Sequence, residues 1–185
     1  MNRAVFLDRD GTIIEDAGYL REAHAIRPLS RALDTLRTLA EAGWLLVVVT
    51  NQSGVGRGFI STEELLEVRN AFETLMRRAG APVTATYCCL HAPEENCECR
   101  KPSPSLFFQA AAGHNIDLSQ SWMIGDRESD ILSGKNAGCS TIWLRNNVHA
   151  VNPDLPDFIA EDWHEIELII RTPSPGTPSH PDILR

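Results

Sequence analysis

The sequence predicts an α/β protein built on a doubly wound, Rossmann-like parallel sheet, and three observations lead to that prediction. Short, continuous apolar runs recur at residues 4–7, 44–49, 83–87, 122–124 and 141–144. Such runs suit strands buried on both faces, as parallel strands are. Segments with helical spacing lie between them, and strands alternating with helices fold into a sheet covered on both sides. Polar, chemistry-bearing residues follow several of the runs directly, at the strand ends where open α/β sheets hold ligands.

In chain order, the first run, Ala4-Val5-Phe6-Leu7, leads straight into Asp8-Arg9-Asp10-Gly11-Thr12. Leu29, Leu33, Leu36, Leu39 and Ala40 then share one helical face, and Gly43 is a stop signal. The second run ends at Val47-Val48-Val49-Thr50-Asn51, and Ser53, Gly54, Gly56 and Gly58 predict a flexible loop able to approach a ligand. Ser61-Thr62-Glu63-Glu64 is a capping box, opening a helix with Leu65, Val68, Phe72, Leu75 and Met76 on its buried side. After the third run come four cysteines and then Arg100-Lys101-Pro102. Pro104 suits a first helical turn ahead of Leu106, Phe107, Ala110 and Ala111. The fourth run reaches Gly125-Asp126-Arg127-Glu128-Ser129-Asp130, and a shorter helix over 129–137 is closed by Gly138. Trp44, Trp122 and Trp143 lie in strand-like runs and are expected in the core, while His24, His114, His149 and His164 read as surface or packing residues.

At 185 residues the chain is expected to be one domain, residues 1–171, long enough to bury a core. Residues 172–185 hold Pro173, Pro175, Gly176, Pro178 and Pro181 and are expected to be a disordered tail. The net charge of −8 argues against broad binding to nucleic acid or to an anionic membrane. It leaves room for a small anionic substrate, because Arg9, Arg57, Arg100, Lys101 and Arg127 sit in or beside the polar strings. The first residues are too short a stretch for a signal peptide, and no apolar segment is long enough to cross a bilayer. A cytoplasmic monomer is the expectation.

The polar strings together supply a nucleophile, a proton carrier, a hydroxyl donor, a cation and metal-binding carboxylates, which is what moving a phosphoryl group to water requires. Asp8 and Asp10 are two apart and face the same way in an extended segment. Asp8, at the strand end, is the candidate nucleophile, and Asp10 the acid that protonates the leaving oxygen and then takes a proton from water. Gly11 lets the backbone turn close to the phosphate. The Thr50 hydroxyl and the amide N–H groups of Asn51 and its neighbours can hold phosphoryl oxygens. Lys101 would neutralise charge on the phosphoryl group, and Arg100 could fork onto a second anionic group. Asp126 is the natural magnesium ligand, joined by Asp8 and the backbone carbonyl of Asp10. Asp130 could bind through water, hold its neighbours or serve as an N-terminal helix charge.

Five cysteines occur, four of them between positions 88 and 99. Cys89-Leu90-His91 and Cys97-Glu98-Cys99 offer three thiolates and one imidazole, a set that fits tetrahedral zinc. Four protein ligands close the shell, so the expected zinc is structural, bracing the loop 88–101 that carries Arg100 and Lys101. Cys88 and Cys139 read as core.

With these motifs in this order, over about residues 4–145, the chain resembles the haloacid dehalogenase-like phosphatases, and within them the zinc-containing branch. The resemblance implies a magnesium-dependent aspartyl-phosphate mechanism without a large cap domain. It gives Asp8 as nucleophile, Asp10 as acid/base, Thr50 and Lys101 as phosphoryl stabilisers and Asp126 as magnesium ligand. The branch includes phosphatases of sugar bisphosphates and of histidinol phosphate. Asp16-Ala17-Gly18-Tyr19 and Thr50-Asn51-Gln52-Ser53-Gly54-Val55-Gly56-Arg57-Gly58 resemble substrate loops of the sugar-bisphosphate members. That similarity implies Asp16, Ala17, Gly18, Tyr19, Asn51, Gln52, Ser53, Arg100 and Arg127 as substrate contacts and a small phosphorylated sugar as substrate. Histidinol phosphate is the alternative. A nucleic-acid 3′-phosphate is a more distant one, disfavoured by the acidic balance and the lack of a basic stripe. A bisphosphate needs a second anion site away from magnesium, and Arg57, Arg100 and Arg127 are candidates for it.

Overall fold

The structure, a computed structural model, describes residues 1–146 and 148–171. Its strands are β1 (Ala4–Leu7), β2 (Leu45–Asn51), β3 (Ala85–Cys89), β4 (Trp122–Gly125), β5 (Ser140–Leu144) and β6 (Phe158–Ala160). They form one sheet in the order β3-β2-β1-β4-β5-β6, and every neighbouring pair is parallel. The helices are α1 (Ala32–Glu41), α2 (Ser53–Gly56), α3 (Thr62–Arg78), α4 (Ser105–His114), α5 (Glu128–Ala137) and α6 (Trp163–Arg171). The strand order reverses between β1 and β4, which puts a crevice at their carboxyl ends.

The sheet is apolar on both faces, as the continuous runs require. Val5 and Leu7 of β1 and Leu46 and Val48 of β2 pack with Leu36 and Leu39 of α1, Phe72 and Met76 of α3, and Trp163 and Ile166 of α6. The alternate residues, Phe6, Val47 and Val49, pack with Leu106, Phe107 and Ala110 of α4. The Phe6 and Phe107 rings meet at 4.7 Å between centroids. The predicted capping box is present: Ser61 Oγ accepts from Glu64 N at 3.1 Å, and Glu64 Oε2 accepts from Ser61 N at 2.7 Å.

Several elements differ from expectation. β2 runs past Val49 because Thr50 and Asn51 pair with Cys88 and Cys89 of β3. The segment after β2 is a helical turn rather than a flexible loop. A Cβ on Gly54 would lie 2.7 Å from Tyr19 Cδ1, and one on Gly56 would lie 2.6 Å from Ala92 N. These glycines therefore permit close packing. Trp44 precedes β2 and is only half-buried, with the Arg3 guanidinium 4.2 Å over its ring. Cys88 is likewise half-buried, whereas Cys139 is in the core.

β6 and α6 were not expected. Their signals were present: Asp162 Oδ1 caps the helix, accepting from His164 N at 2.8 Å and Glu165 N at 3.0 Å. Trp163, Ile166 and Ile170 then recur at helical spacing on the buried face. Among the described residues no helix is long and apolar enough to cross a membrane. The Pro-rich stretch 172–185, expected as a disordered tail, lies outside the described residues.

Candidate active site

Asp8 leaves the carboxyl end of β1, and Asp126 follows β4, so the strand-order reversal brings the two aspartates together across more than a hundred residues. Carboxylate oxygens of Asp8, Asp126 and Asp130 lie within 4.8 Å of one another. All three residues are buried. Like charges that close repel strongly in a poorly solvated site, and two devices offset this.

The first device is Lys101. Its ammonium, 3 % exposed, reaches Asp8 Oδ1, Asp130 Oδ1 and the Val49 carbonyl, each at 2.7 Å. Burial alone would push this ammonium down, but the Asp130 and Asp8 carboxylates overcome it and hold the lysine above its ordinary range. Asn51 fixes the lysine's main chain from β2: Asn51 Oδ1 accepts from Lys101 N at 3.1 Å, and Asn51 Nδ2 donates to Lys101 O at 3.2 Å. The Asn51 side chain thus serves to hold Lys101, while the Asn51 main-chain N–H is the group expected at the phosphate. Asp130 turns out to hold its neighbours, because its other oxygen accepts from Arg127 N at 2.9 Å.

The second device is a place for a cation. Asp126 is the carboxylate that Lys101 does not reach. Burial, with Asp8 and Asp130 adding to it, pushes its pKa up to about 7. It is held by Asn146 Nδ2 at 2.9 Å and, more loosely, by the Thr12 hydroxyl at 3.4 Å. A Cβ on Gly11 would come within 2.4 Å of Asp126 Oδ2, so only glycine lets the turn after Asp10 close over this carboxylate. The donors are hard oxygens in excess of the positive charge around them, which suits magnesium.

Asp10 is held separately. Its carboxylate accepts from Arg9 Nη2 at 2.8 Å and from Gln52 Nε2 at 2.7 Å. Burial pushes the Asp10 carboxyl above the usual carboxylate range, against the pull of Arg9 and with a further push from Asp8. The Asp10 side chain is thus already engaged by Arg9 and Gln52.

These groups open into a cleft of about 450 Å³. Asp8, Asp10, Thr50, Asn51, Gln52, Ser53 and Lys101 line its floor and one side, with Asp16, Gly18, Tyr19, Arg57, Arg100 and Arg127 around them. Two expected site residues do not line it. Ala17 is exposed on the outer side of its turn, because Asp16 Oδ1 accepts from Gly18 N at 2.9 Å and folds the segment tightly. Asp126 is fully buried beneath. Arg57 is engaged with the rim: it donates to Tyr19 Oη and to Glu94 Oε1, both at 3.2 Å. Arg127 pairs with Asp16 at 2.6 Å. Arg100 Nη1 is buried without a hydrogen-bond partner.

The four expected zinc ligands converge. Cys89 Sγ lies 3.5 Å from Cys97 Sγ, and Cys97 Sγ lies 3.6 Å from Cys99 Sγ. His91 Nδ1 is 3.7 Å from Cys89 Sγ and 3.3 Å from Cys99 Sγ. Tetrahedral zinc with its usual bond lengths has S···S edges of about 3.8 Å and S···N edges of about 3.6 Å. The donor spacing therefore matches zinc to within a few tenths of an ångström. Burial pushes the Cys89 thiol up to about 12 in the absence of a cation. The cluster sits two residues before Lys101.

Sequence reasoning missed Asn146 and His149 as site residues, and the roles of Arg9 on Asp10 and Thr12 on Asp126. His149 Nε2 is buried without a hydrogen-bond partner, 3.7 Å from Asp126 Oδ2 and 3.8 Å from Asp16 Oδ2. Asn146 and His149 follow β5, and the same strand-end rule that flagged Asp8 and Asp126 applies to them.

Comparison with known proteins identifies the family. Residues 98–166 match the profile of the HAD-hydrolase-like family. The D-glycero-beta-D-manno-heptose-1,7-bisphosphate 7-phosphatase of Helicobacter pylori is 44 % identical over 137 residues, covering 74 % of this chain and 79 % of that protein. The enzyme of the same name from Pasteurella multocida is 38 % identical over 143 residues, covering 74 % of this chain and 78 % of that protein. A crystal structure of D,D-heptose 1,7-bisphosphate phosphatase from B. bronchiseptica, complexed with magnesium and phosphate, superposes with a TM-score of 0.81. It is 26 % identical and covers 91 % of this chain and 97 % of that one. On motifs, fold and relatives together, the chain belongs to the haloacid dehalogenase-like phosphatase family.

Proposed function

We propose that the chain is a magnesium-dependent phosphatase that removes the 7-phosphate of D-glycero-D-manno-heptose 1,7-bisphosphate and leaves the 1-phosphate in place. The observation that carries the substrate assignment is Arg100, whose Nη1 is buried and unpartnered in the wall of the cleft that holds Asp8. A buried donor without an acceptor is costly, and a second anionic group on the substrate would satisfy it. Arg127 and Arg57 stand on the same cleft and add positive charge there. The names of the relatives fit that requirement, since a 1,7-bisphosphate carries its second anion at the far end of the sugar.

In this reading Asp8 attacks the phosphorus, the bond to the C7 oxygen breaks, and that oxygen takes the proton of the Asp10 carboxyl. Asp10, now a carboxylate, takes a proton from water as the water oxygen attacks the aspartyl-phosphate. The bond between phosphorus and Asp8 breaks, inorganic phosphate leaves, and Asp8 is restored. Lys101 stays paired to Asp8 and offsets charge on the phosphoryl oxygens, and the Thr50 hydroxyl donates to one of them. Asp8, Asp126 and the main-chain carbonyl of Asp10 would hold magnesium, which when bound supplies positive charge against the phosphoryl group. Cys89, His91, Cys97 and Cys99 would hold a structural zinc that keeps Arg100 and Lys101 in place.

The test is product analysis by phosphorus NMR on the magnesium- and zinc-loaded chain, with the heptose 1,7-bisphosphate anomers and histidinol phosphate as separate substrates. The expected result is loss of the C7 phosphorus resonance with the anomeric phosphate retained, at a higher kcat/KM than for histidinol phosphate. Equal or faster turnover of histidinol phosphate reverses the substrate assignment.

A further inference from the structure

Gln52 is buried, 7 % exposed, and its amide nitrogen makes two contacts. It donates to Asp10 Oδ2 at 2.7 Å and to Thr50 Oγ1 at 2.9 Å. The nitrogen end of this amide faces Asp10 Oδ2, an oxygen that accepts whether the carboxyl is ionised or carries its proton on Oδ1. One hydrogen of the NH₂ group therefore goes to Asp10 and the other to Thr50. The Gln52 main chain is pinned as well, its N–H donating to the Cys89 carbonyl at 2.7 Å.

This arrangement decides what Thr50 can do. A hydroxyl has one hydrogen, and phosphoryl oxygens only accept, so Thr50 helps a phosphoryl group only by giving it that hydrogen. With Oγ1 already accepting from Gln52, the hydroxyl hydrogen is turned away from the amide. Thr50 and Gln52 both line the cleft that Asp8 and Asp10 share. Arg9, 3 % exposed, also grips the Asp10 carboxylate, reaching Oδ2 at 2.8 Å through Nη2 and at 3.1 Å through Nε. Asp10 is thus held by a guanidinium and by the same amide that orients Thr50.

We infer that Gln52 is a positioning residue for phosphoryl transfer rather than a substrate contact: one amide group sets the Asp10 carboxylate and aims the Thr50 hydroxyl hydrogen at the phosphoryl site. This deepens the phosphatase reading and rests on it for the identity of the reaction. It differs from the role implied by the substrate-loop resemblance, under which Gln52 would touch the sugar.

A double-mutant cycle separates the two roles. Gln52→Met, Gln52→Glu, Thr50→Val and the Gln52→Met/Thr50→Val pair are prepared as full, metal-loaded chains. Each is read by kcat and KM on p-nitrophenyl phosphate and by orthovanadate affinity in calorimetry. Gln52→Met is expected to lower kcat at least about tenfold with little change in KM, as loss of transition-state hydrogen bonding does. Gln52→Glu is expected to fall at least as far, because its carboxylate captures the Thr50 hydrogen and repels Asp10. The double variant is expected to lose clearly less than the product of the two single losses, because the part of the Gln52 effect that acts through Thr50 is already gone and only the part through Asp10 remains. Orthovanadate affinity follows the same non-additive pattern, so the cycle decides the inference even if the parent chain hydrolyses no tested ester, a result that would defeat the phosphatase reading separately. Additive losses, or a Gln52→Met effect on KM alone, overturn the inference.

Discussion

Lys101 is the residue whose removal says most about the site. Lys101→Met keeps a side chain of similar length and deletes the one cation that Asp8 and Asp130 share at 2.7 Å each. What remains, with Asp126 beside them, are the two carboxylates the lysine had paired, their oxygens within 4.8 Å of each other. At an effective dielectric of about 20, unit charges that far apart repel by about 3.5 kcal/mol. Breaking a buried ion pair by deleting one partner costs about 3–5 kcal/mol by a separate route. For a chain of this size that is a fall in melting temperature of roughly 6–20 °C. The measurement is a thermal scan of zinc-loaded, magnesium-free protein at pH 5 and pH 8. Without the lysine the folded carboxylates bind a proton more readily than the unfolded ones, so their folded pKa is raised. Stability of that kind is present below the unfolded carboxylate range and is lost as pH rises through the folded value. The variant should therefore lose more, relative to the parent, at pH 8 than at pH 5. Melting within about 2 °C of the parent at both pH values, against the several degrees expected for even the smaller estimate, would refute the electrostatic account.

Further outcomes follow from the same geometry. Asp8→Asn should abolish phosphatase turnover by about 10⁴-fold or more while circular dichroism and melting stay near the parent, because the amide oxygen still accepts from Lys101; residual turnover above that level would remove Asp8 from its role as nucleophile. Stripping zinc should raise hydrogen exchange across residues 89–101 and lower activity with magnesium in excess; unchanged exchange in verified zinc-free protein would contradict a bracing role. Arg100→Ala should raise KM for the heptose bisphosphate while leaving p-nitrophenyl phosphate nearly unaffected, since only the bisphosphate offers Nη1 a second anion; an equal effect on both substrates would place Arg100 at the transferred phosphate instead.

Residues whose roles follow from a strand end or from ligand spacing were legible in the sequence. Asp8, Thr50 and Asp126 converge because parallel strands deliver their carboxyl ends to one edge. Cys89, His91, Cys97 and Cys99 converge because C-x-H and C-x-C are local patterns. Contacts made by side chains across the site were not legible. Nothing in Asn51 says that it grips the Lys101 main chain, since a strand-end amide can face ligand, solvent or a neighbouring loop. Arg57 sits beside a glycine-rich stretch as a phosphate-binding arginine would, but Tyr19 and Glu94 lie within its reach. β6 and α6 were overlooked for a different reason. β6 is three residues long and α6 nine, each too short for its apolar pattern to stand out.

Trp163 opens that overlooked helix, and its indole Nε1 donates to the Thr12 carbonyl at 2.9 Å. The tether reaches back 151 positions into the turn beside the two paired aspartates. The chain's last described helix is therefore part of the catalytic scaffold, not a trailing accessory. A version shortened ahead of residue 163 would uncover part of one face of the sheet and release that turn together, whereas shortening beyond residue 171 keeps both. For anyone designing a minimal working fragment, the cut belongs on the far side of Ile170.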